Sequence, residues 1–289
     1  MQSFKSKAEQ HLKNYVSERN ISFQSYCILY DGDALNHQFV RHDEEFIKEV
    51  EARCKIYDKS EKVKAQFKNM LRSEHISYNF FIPLKLKKEK NTVIQFFKHL
   101  LHRDDLRSIT KFEIEWAPKD SKKALDDKTS FDTYIQFELH NGKKLGAGIE
   151  VKYTEKSYPY TKTEFERLKT QNSKSPYYKI WSDPISIYKP ETYLTLGEKC
   201  YKQFFRNHLL GISMIKNGEL DEFMSVHLYP AGNSYQDTYS KKYLQNIHTH
   251  MQHTFLPITF ERFIEIGEST FDTDEDKSWL SYISKRYIV

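Results

Sequence analysis

The chain has 289 residues, 45 Lys and Arg against 40 Asp and Glu, and a net charge of +5. Its length allows a full hydrophobic core, to which the 20 Tyr and 20 Phe contribute. No segment approaches the roughly eighteen apolar residues of a membrane span, and Met1 to Arg19 lacks an apolar signal region. We therefore expect a cytoplasmic protein without a membrane partner.

The cysteines are few and widely spaced. Cys27, Cys54 and Cys200 form no Cys-x-x-Cys pair, so the sequence indicates neither a disulfide framework nor a zinc knuckle. A reducing cytoplasm fits this pattern.

The first hundred residues are predicted to be mainly helical, with 1–60 as an extension to a larger domain over 61–289. No Pro/Gly/Ser-rich linker separates the two parts, which favours one compact unit. Apolar residues at three- and four-residue spacing predict a helix over 61–81, and Glu74 falls on its apolar stripe. Such an acid needs either a partner or an edge position that reaches water. A second helix over 92–103 is predicted to follow Asn91 as N-cap.

Two lysine clusters flank the next segments. The first comprises Lys85, Lys87, Lys88 and Lys90, and the second comprises Lys119, Lys122 and Lys123. Either cluster could neutralise phosphates, or could be an ordinary solvated loop.

A strand is predicted over 109–116, where Phe112, Ile114 and Trp116 alternate with Glu113 and Glu115. Glu115 is either an additional acid of a functional site or a solvent-facing residue.

Residues 130–153 have the pattern of two alternating strands around a turn at Asn141-Gly142. The first strand has an apolar row of Phe131, Thr133, Ile135, Phe137 and Leu139, and the second has one of Leu145, Ala147, Ile149, Val151 and Tyr153. Side chains alternate along a strand, so burying both rows on one core requires Asp132, Glu150 and Lys152 to share the other face. A three-residue loop over 141–143, with its glycine in the left-handed region, would set Asp132 opposite Lys152 and Tyr134 opposite Glu150. Gly146 and Gly148 would leave this face open to a bulky ligand.

Two carboxylates are seldom placed together unless a cation joins them, and oxygen ligands suit Mg²⁺ or Mn²⁺. Lys152 could then orient or help deprotonate an attacking water and stabilise charge on a phosphate. The alternative is an exposed hairpin face with ordinary solvated charges.

The pattern Phe131-Asp132 followed by Gly148-Ile149-Glu150-Val151-Lys152-Tyr153 resembles the PD-(D/E)XK, or restriction-endonuclease-like, nuclease superfamily. It is most similar to an uncharacterised bacterial branch of restriction-type nucleases. Glu115-Trp116-Ala117-Pro118 and Ser73-Glu74-His75 also fit that branch, and the resemblance covers about residues 60–230. Phe131 stands where the motif's name has proline.

The resemblance implies an α/β core of helix, three-strand meander, helix and strand, with a helical N-terminal addition. By position, Asp132, Glu150 and the Val151 carbonyl would bind Mg²⁺, and Lys152 would be the catalytic lysine. Glu74 would be an additional metal ligand, with a water-facing edge position as its alternative.

The segment 153–190 is rich in Tyr, Lys and Ser, and is either a substrate clamp or a packed insertion. A helix is predicted over 197–215, with Gln203, Arg206 and Asn207 within one turn. Because this helix borders the cleft in the superfamily, Gln203 and Arg206 are candidate nucleic-acid contacts. A salt bridge is the alternative for Arg206.

Residues 223–229 alternate as a further strand, and 260–289 are predicted as a strand and a closing helix with an acidic first turn. His248, His250 and His253 have no adjacent Cys or paired acid, which argues against a structural zinc.

These patterns favour a Mg²⁺-dependent endonuclease that acts on DNA in restriction or repair. RNA or branched junctions stay open as substrates, as do a catalytically silent module of the same fold and a homodimer.

Overall fold

The computed structural model describes residues 2–24, 27–53, 59–60 and 62–289. A two-stranded ribbon near the N-terminus precedes a five-stranded central sheet. The ribbon consists of β1 (Phe23–Gln24) and β2 (Ile28–Leu29). The central sheet consists, in spatial order, of β3 (Leu106–Trp116), β4 (Phe131–Leu139), β5 (Lys144–Val151), β6 (Glu222–Tyr229) and β7 (Phe255–Thr259).

Helices cover both faces of the central sheet. Those before the sheet are α1 (Phe4–Glu18), α2 (Asp31–Gln38), α3 (Glu44–Arg53), α4 (Ala65–Lys68), α5 (Ile76–Leu86) and α6 (Asn91–Leu101). Those between β5 and β6 are α7 (Lys162–Lys169), α8 (Pro176–Trp181), α9 (Tyr193–Leu196) and α10 (Lys202–Lys216). The remaining helices are α11 (Ser234–Leu244), α12 (Phe260–Thr270) and α13 (Asp274–Tyr287).

The order of elements confirms the restriction-endonuclease-like core. Strands β3, β4 and β5 form an antiparallel meander, and β6 pairs with β5 in parallel after the crossover through α10. Strand β7 extends the sheet in parallel beyond β6.

Two hydrophobic clusters lie on opposite sides of the sheet. On the α10 face, α10 packs with the insertion helices over Tyr134 and Phe223. On the opposite face, α5, α6, α12 and α13 pack over the apolar rows of the sheet. Ala8, Leu12 and Val16 of α1 are buried in this second cluster, so the first helix shares the core of the sheet. Within the described ranges, no helix combines the length and apolarity needed to cross a membrane.

The continuous helix predicted over 61–81 was wrong. Helix α4 ends at Lys68, turns follow, and α5 begins at Ile76. The Asn69 side chain accepts a hydrogen bond from the Leu71 backbone N–H at 2.9 Å, a local turn that competes with helix continuation. The apolar residues of this segment are still buried, because the turns place Met70 and Leu71 in the same core. By contrast, α6 begins at Asn91, within one residue of its predicted start. The predicted N-cap was wrong, because Asn91 is the first residue of the helix and Lys90 is its N-cap.

The prediction for 260–289 was wrong in its first element, because a helix, α12, begins at Phe260 and the strand β7 precedes it. The Thr259 hydroxyl accepts a hydrogen bond from the Arg262 N–H at 3.1 Å and caps this helix. The acidic first turn of the last helix is confirmed: Asp274, Glu275 and Asp276 follow the N-cap Thr273 in α13.

Candidate active site at the ends of strands β4 and β5

The β4–β5 hairpin brings the predicted acids onto one face, in a register two residues from the predicted one. Tyr134 lies opposite Gly148 rather than Glu150. The loop is 140–142, and Gly142 has φ +81°. A three-residue hairpin loop places its left-handed residue last, so the glycine ends the loop instead of occupying its middle. Because the shift is even, the side chains of the paired residues, 133–138 on β4 and 144–149 on β5, keep their predicted faces.

The alternation breaks at the ends of β3 and β4. Glu115 has φ +49°, in the left-handed region that non-glycine residues rarely adopt. After it, Trp116 stacks on Tyr134 with ring centroids 4.1 Å apart, instead of joining Phe112 and Ile114. Phe131 likewise packs on the α10 face. The predicted apolar rows were therefore wrong for these two aromatic residues.

The open surface expected at the strand glycines was also wrong. A Cβ built on Gly148 would lie 2.4 Å from the Phe131 ring, and one on Gly146 would lie 2.5 Å from Leu220. Protein side chains, and not an exposed ligand surface, fill the space above both glycines. The glycines thus permit close packing beneath the site.

Asp132 lies just beyond the last backbone pair between β4 and β5. The last paired residues are Thr133 and Ile149, and beyond them Asp132 Oδ2 accepts a hydrogen bond from the Val151 N–H at 2.7 Å. A strand residue points its N–H and C=O to the same side, so the Val151 carbonyl also turns toward Asp132. Strand geometry therefore predicts that the Val151 carbonyl lies near the Asp132 carboxylate at this corner of the sheet.

Glu150 is held by three donors. Lys152 Nζ and Gln203 Nε2 donate to Oε1, the latter at 2.8 Å, and Asn207 Nδ2 donates to Oε2 at 2.7 Å. Glu150 and Lys152 are each only 5% exposed. Burial by itself would raise the pKa of the Glu150 carboxyl, but the Lys152 charge and the hydrogen bonds outweigh burial and lower this pKa.

The remaining charges show how strongly the two acids interact. Burial and then the negative charge of Glu150 raise the pKa of Asp132 well above its ordinary value. Burial would lower the pKa of Lys152, but the charges of Glu150 and Asp132 raise it above its ordinary value. The ammonium group therefore stays protonated beside two crowded carboxyl groups.

Helix α10 supplies the donors to Glu150. Gln203 and Asn207 are four residues apart and therefore lie on the same face of the helix. Asn207 was missed as a site residue, although the sequence placed it within one turn of Gln203. Arg206 forms ion pairs with Asp127 at 3.1 Å and with Glu164 at 2.7 Å, the salt-bridge alternative of the prediction.

Two further acids lie at the margin of the site. Glu74 accepts hydrogen bonds at 2.8 and 2.9 Å from Arg72 Nε, in a turn rather than on a helix. Glu115 is exposed as a whole residue, yet its pKa is raised to about 7 because protein atoms displace part of the carboxyl's hydration and Glu150 and Glu74 add negative charge. Across the described ranges, no three acidic, His or Cys side chains converge as a ready-made metal cage.

The donor set at the corner nevertheless fits a hard divalent ion. No described residue forms a hydrogen bond with Asp132 Oδ1, and Glu150 Oε2 retains one lone pair beside its bond from Asn207. With the Val151 carbonyl, these atoms make a small all-oxygen set with places for water, which suits Mg²⁺ or Mn²⁺. The mutual repulsion of the two acids favours such an ion.

The lysine clusters differ in their availability. Lys85 Nζ lies 2.6 Å from Glu49, and Lys87 Nζ lies 2.8 Å from Asp276, so both are ion-paired. The second cluster is exposed at Lys119, Lys122 and Lys123.

The position of the second cluster follows from α10. Asn217 Nδ2 donates to the Lys123 carbonyl at 2.9 Å, just past the C-terminal end of the helix. Because Asn207 is ten residues earlier, the cluster lies about 15 Å along α10 from Glu150.

Other predicted features lie outside the candidate site formed by Asp132, Glu150 and Lys152. His248 and His250 stack with ring centroids 5.7 Å apart, near His253 in a short 3₁₀ segment. Cys27 is buried and Cys200 half-buried, while Cys54 lies outside the described residues.

The insertion after β5 contains both kinds of residue that the sequence left open. Tyr177 is buried in the cluster on the α10 face, whereas Tyr158 is 37% exposed. The Lys152 ammonium lies 5.5 Å from the Tyr158 ring centroid, so one exposed tyrosine borders the site.

A family model for the PD-(D/E)XK nuclease superfamily matches residues 31–289 of this chain. The chain therefore belongs to the PD-(D/E)XK nuclease superfamily. The match confirms the expected resemblance and extends it beyond 60–230 in both directions. No curated protein and no solved structure matches the chain.

Proposed function

We propose that this protein is a metal-dependent nuclease that hydrolyses phosphodiester bonds in DNA, with RNA and branched junctions as open alternatives. One observation carries the proposal: the hairpin register and α10 bring Asp132, Glu150 and Lys152 into one buried corner of a PD-(D/E)XK fold. Burying two carboxyl groups together costs free energy unless cations compensate their charge. Such a cluster therefore favours a role in chemistry over a role in stability.

The two acids and the Val151 carbonyl would hold Mg²⁺, with Mn²⁺ as a substitute. Bound there, the ion would activate a water and offset the charge that builds on the phosphate. Gln203 and Asn207 are positioning residues, since they fix the orientation of Glu150 and do not meet the reacting atoms themselves.

Lys152 serves as a fixed positive charge. The Lys152 ammonium donates to Glu150 in a buried site, where a positive charge stabilises the developing negative charge on the phosphate. Orienting or helping to deprotonate the attacking water stays open as its second role.

The more distant contacts follow from exposure. Lys119, Lys122 and Lys123 can neutralise phosphates of a substrate that extends along α10. Glu74 would reach an ion only after releasing Arg72, and Arg206 would reach a phosphate only after leaving Asp127 and Glu164. Neither is assigned a direct role. The proposal leaves restriction or repair, and monomer or homodimer, open.

The test compares two variants that fail differently. Glu150→Gln removes the charge that would hold the ion, so it should abolish calorimetric Mg²⁺ or Mn²⁺ binding together with cleavage of plasmid and oligonucleotide substrates. Lys152→Ala keeps both acids, so it should retain ion binding and lose cleavage by about a hundredfold or more, as expected for removal of one charge-stabilising group.

Glu268→Gln and Lys277→Ala are matched controls, because both residues are exposed and distant from the site in sequence and fold. They should leave ion binding and cleavage unchanged. The nuclease proposal fails if the wild-type protein cleaves no DNA or RNA with either ion and binds no ion that Glu150→Gln removes. A catalytically silent binding module would then be the correct description.

A further inference from the structure

Three neighbouring cavities form a continuous groove beside the candidate active site. The central cavity has a volume of about 1090 Å³. It shares Lys156 and Tyr235 with a cavity of about 620 Å³ on one side, and Asn69 and Arg72 with one of about 450 Å³ on the other. We call this the tyrosine groove, after Tyr158, Tyr235 and Tyr239 in its central part.

The groove borders the candidate active site through one residue, Tyr158. Tyr158 lines the central cavity and also lies beside the Lys152 ammonium. Glu155 lines the same cavity, and its carboxylate is fixed by the backbone N–H groups of Ser73 and Tyr153 at 2.8 and 3.0 Å. A polymer lying in the groove would therefore come close to the candidate active site at Tyr158.

The charges in the groove are nearly balanced. Its cations are Lys5, Arg72, Lys156 and Lys199, and its acids are Glu9, Glu74, Glu155 and Glu198. Glu9 pairs with Lys13 at 2.7 Å, and Glu74 pairs with Arg72, so these pairs neutralise two of the acids and one of the cations. Binding through phosphates alone needs a strongly positive surface, so charge by itself would give this groove little affinity for nucleic acid.

The aromatic side chains supply a different source of affinity. Tyr235 and Tyr239 lie with ring centroids 4.6 Å apart, and the Tyr235 hydroxyl donates to Ser157 Oγ at 3.2 Å. The Lys156 ammonium lies 5.9 Å from the Tyr235 centroid. Tyrosine rings with nearby lysines suit bases that are free to stack, together with their backbone phosphates. Bases inside a duplex are already stacked on one another and cannot reach such rings.

We propose that the tyrosine groove binds an unpaired strand of nucleic acid and presents it to the catalytic corner. This inference rests on the proposed nuclease function, and it narrows the substrate class to single strands or to junctions with an unpaired segment. The central cavity exceeds the roughly 300–1,000 Å³ of pockets that enclose one drug-sized ligand, so it has room for more than one nucleotide.

The test measures binding by fluorescence anisotropy, with full-length Lys152→Ala protein so that the probe survives. The probes are a labelled mixed-sequence DNA single strand and a blunt hairpin duplex with the same number of phosphates. The single strand should bind at least about tenfold more tightly. Tyr158→Ala and Tyr235→Ala, added singly, should each weaken single-strand binding about tenfold, in the range of one lost base–aromatic stack.

The controls separate stacking from folding and charge. Tyr235→Phe keeps the ring and loses only the hydroxyl bond to Ser157, so it should bind the single strand like its parent. Lys277→Ala removes one exposed charge outside the groove and should change nothing. Lys156→Gln, an exposed substitution that spares the packed tyrosines, should weaken binding and reduce its salt dependence.

Two results would overturn the inference: equal or tighter binding of the duplex, or unchanged single-strand affinity in both tyrosine-to-alanine variants with native thermal melts. Its failure is distinguishable from failure of the nuclease proposal. If the protein cleaves duplex DNA and the groove variants cleave it equally well, the groove inference is wrong and the nuclease proposal stands. If single-strand binding needs the tyrosines but the protein shows no ion-dependent cleavage, the groove inference stands and the nuclease proposal is wrong.

Discussion

The two faces of strand β5 bury different kinds of side chain. On the face of the sheet that points away from α10, Leu145, Ala147, Ile149 and Val151 pack into an apolar cluster. Toward α10, the intervening positions are Gly146, Gly148 and Glu150, followed by Lys152 just beyond the strand. Successive residues of one strand therefore fill apolar space on one face and place charged groups on the other.

The contrast shows where function enters the fold. An apolar side chain needs only neighbours of suitable volume, whereas each polar atom of Glu150 needs a donor placed to within a fraction of an ångström. Buried ion pairs add little net stability, because removing both ions from water is costly. We therefore attribute the polar corner to chemistry and the apolar row to stability, and each attribution can be broken by substitution.

The largest effect on stability is expected on the apolar side. Ile149 is 1% exposed, so Ile149→Ala should lower the free energy of unfolding by about 3 kcal/mol through lost burial and a residual cavity. Urea unfolding measures the loss. Ile149→Val should lose only about 1 kcal/mol. If cleavage by folded Ile149→Ala protein falls as far as in Lys152→Ala, the division of labour between the faces is wrong.

A smaller change in stability is expected where α10 packs on the sheet, and two opposing effects determine its sign. A Cβ on Gly211 would lie 2.0 Å from the Phe223 ring. Gly211→Ala should therefore destabilise the fold by about 2 kcal/mol through overpacking. It should also reduce cleavage, because displacement of α10 moves Gln203 and Asn207 away from Glu150.

Helix propensity predicts the opposite sign for Gly211→Ala, a gain of about 1 kcal/mol over glycine. Urea unfolding and a cleavage assay on the same preparation decide between the two effects. A stabilised variant with full activity would show that α10 can shift without loss, and that its contact with the sheet does not position the site.

The smallest effect concerns pH. Burial lowers the pKa of His75 well below its ordinary value on the opposite face, and lowers the pKa of His208 to about 3 on the α10 face. The unfolded chain thus binds more protons than the folded protein below about pH 6.5, so stability is retained above that pH and falls as the pH drops through it.

His75 offers the cleaner variant, because neither ring nitrogen has a hydrogen-bond partner among the described residues. Between pH 7 and pH 5.5, His75→Leu should lose about 1 kcal/mol less stability than the wild-type protein, since one proton no longer binds the unfolded chain preferentially. Urea unfolding at both pH values measures the difference. Parallel pH profiles would mean that His75 takes up its proton equally in the folded and unfolded states, so that burial does not lower its pKa.

Local patterns predicted much of this molecule. The meander, α6, α10, β6 and the acidic start of α13 follow from spacing and capping within a few neighbouring residues. Errors arose where local and distant preferences compete. The turn at Asn69 interrupts an apolar helical spacing, and the positive φ of Glu115 moves Trp116 to the other face of the sheet.

The sequence by itself predicted that Asp132, Glu150 and Lys152 share a face, because any register that buries both apolar rows preserves the parity of the strands. The register agrees with the local rule that a three-residue hairpin loop places its left-handed residue, Gly142, last. Only the tertiary structure showed the close packing of Phe131 over Gly148, which fits the same register. The tertiary structure also decided that Gln203 and Asn207 hold Glu150 while Arg206 turns to Asp127. These contacts join residues more than fifty positions apart, and local periodicity carries no information about such distances.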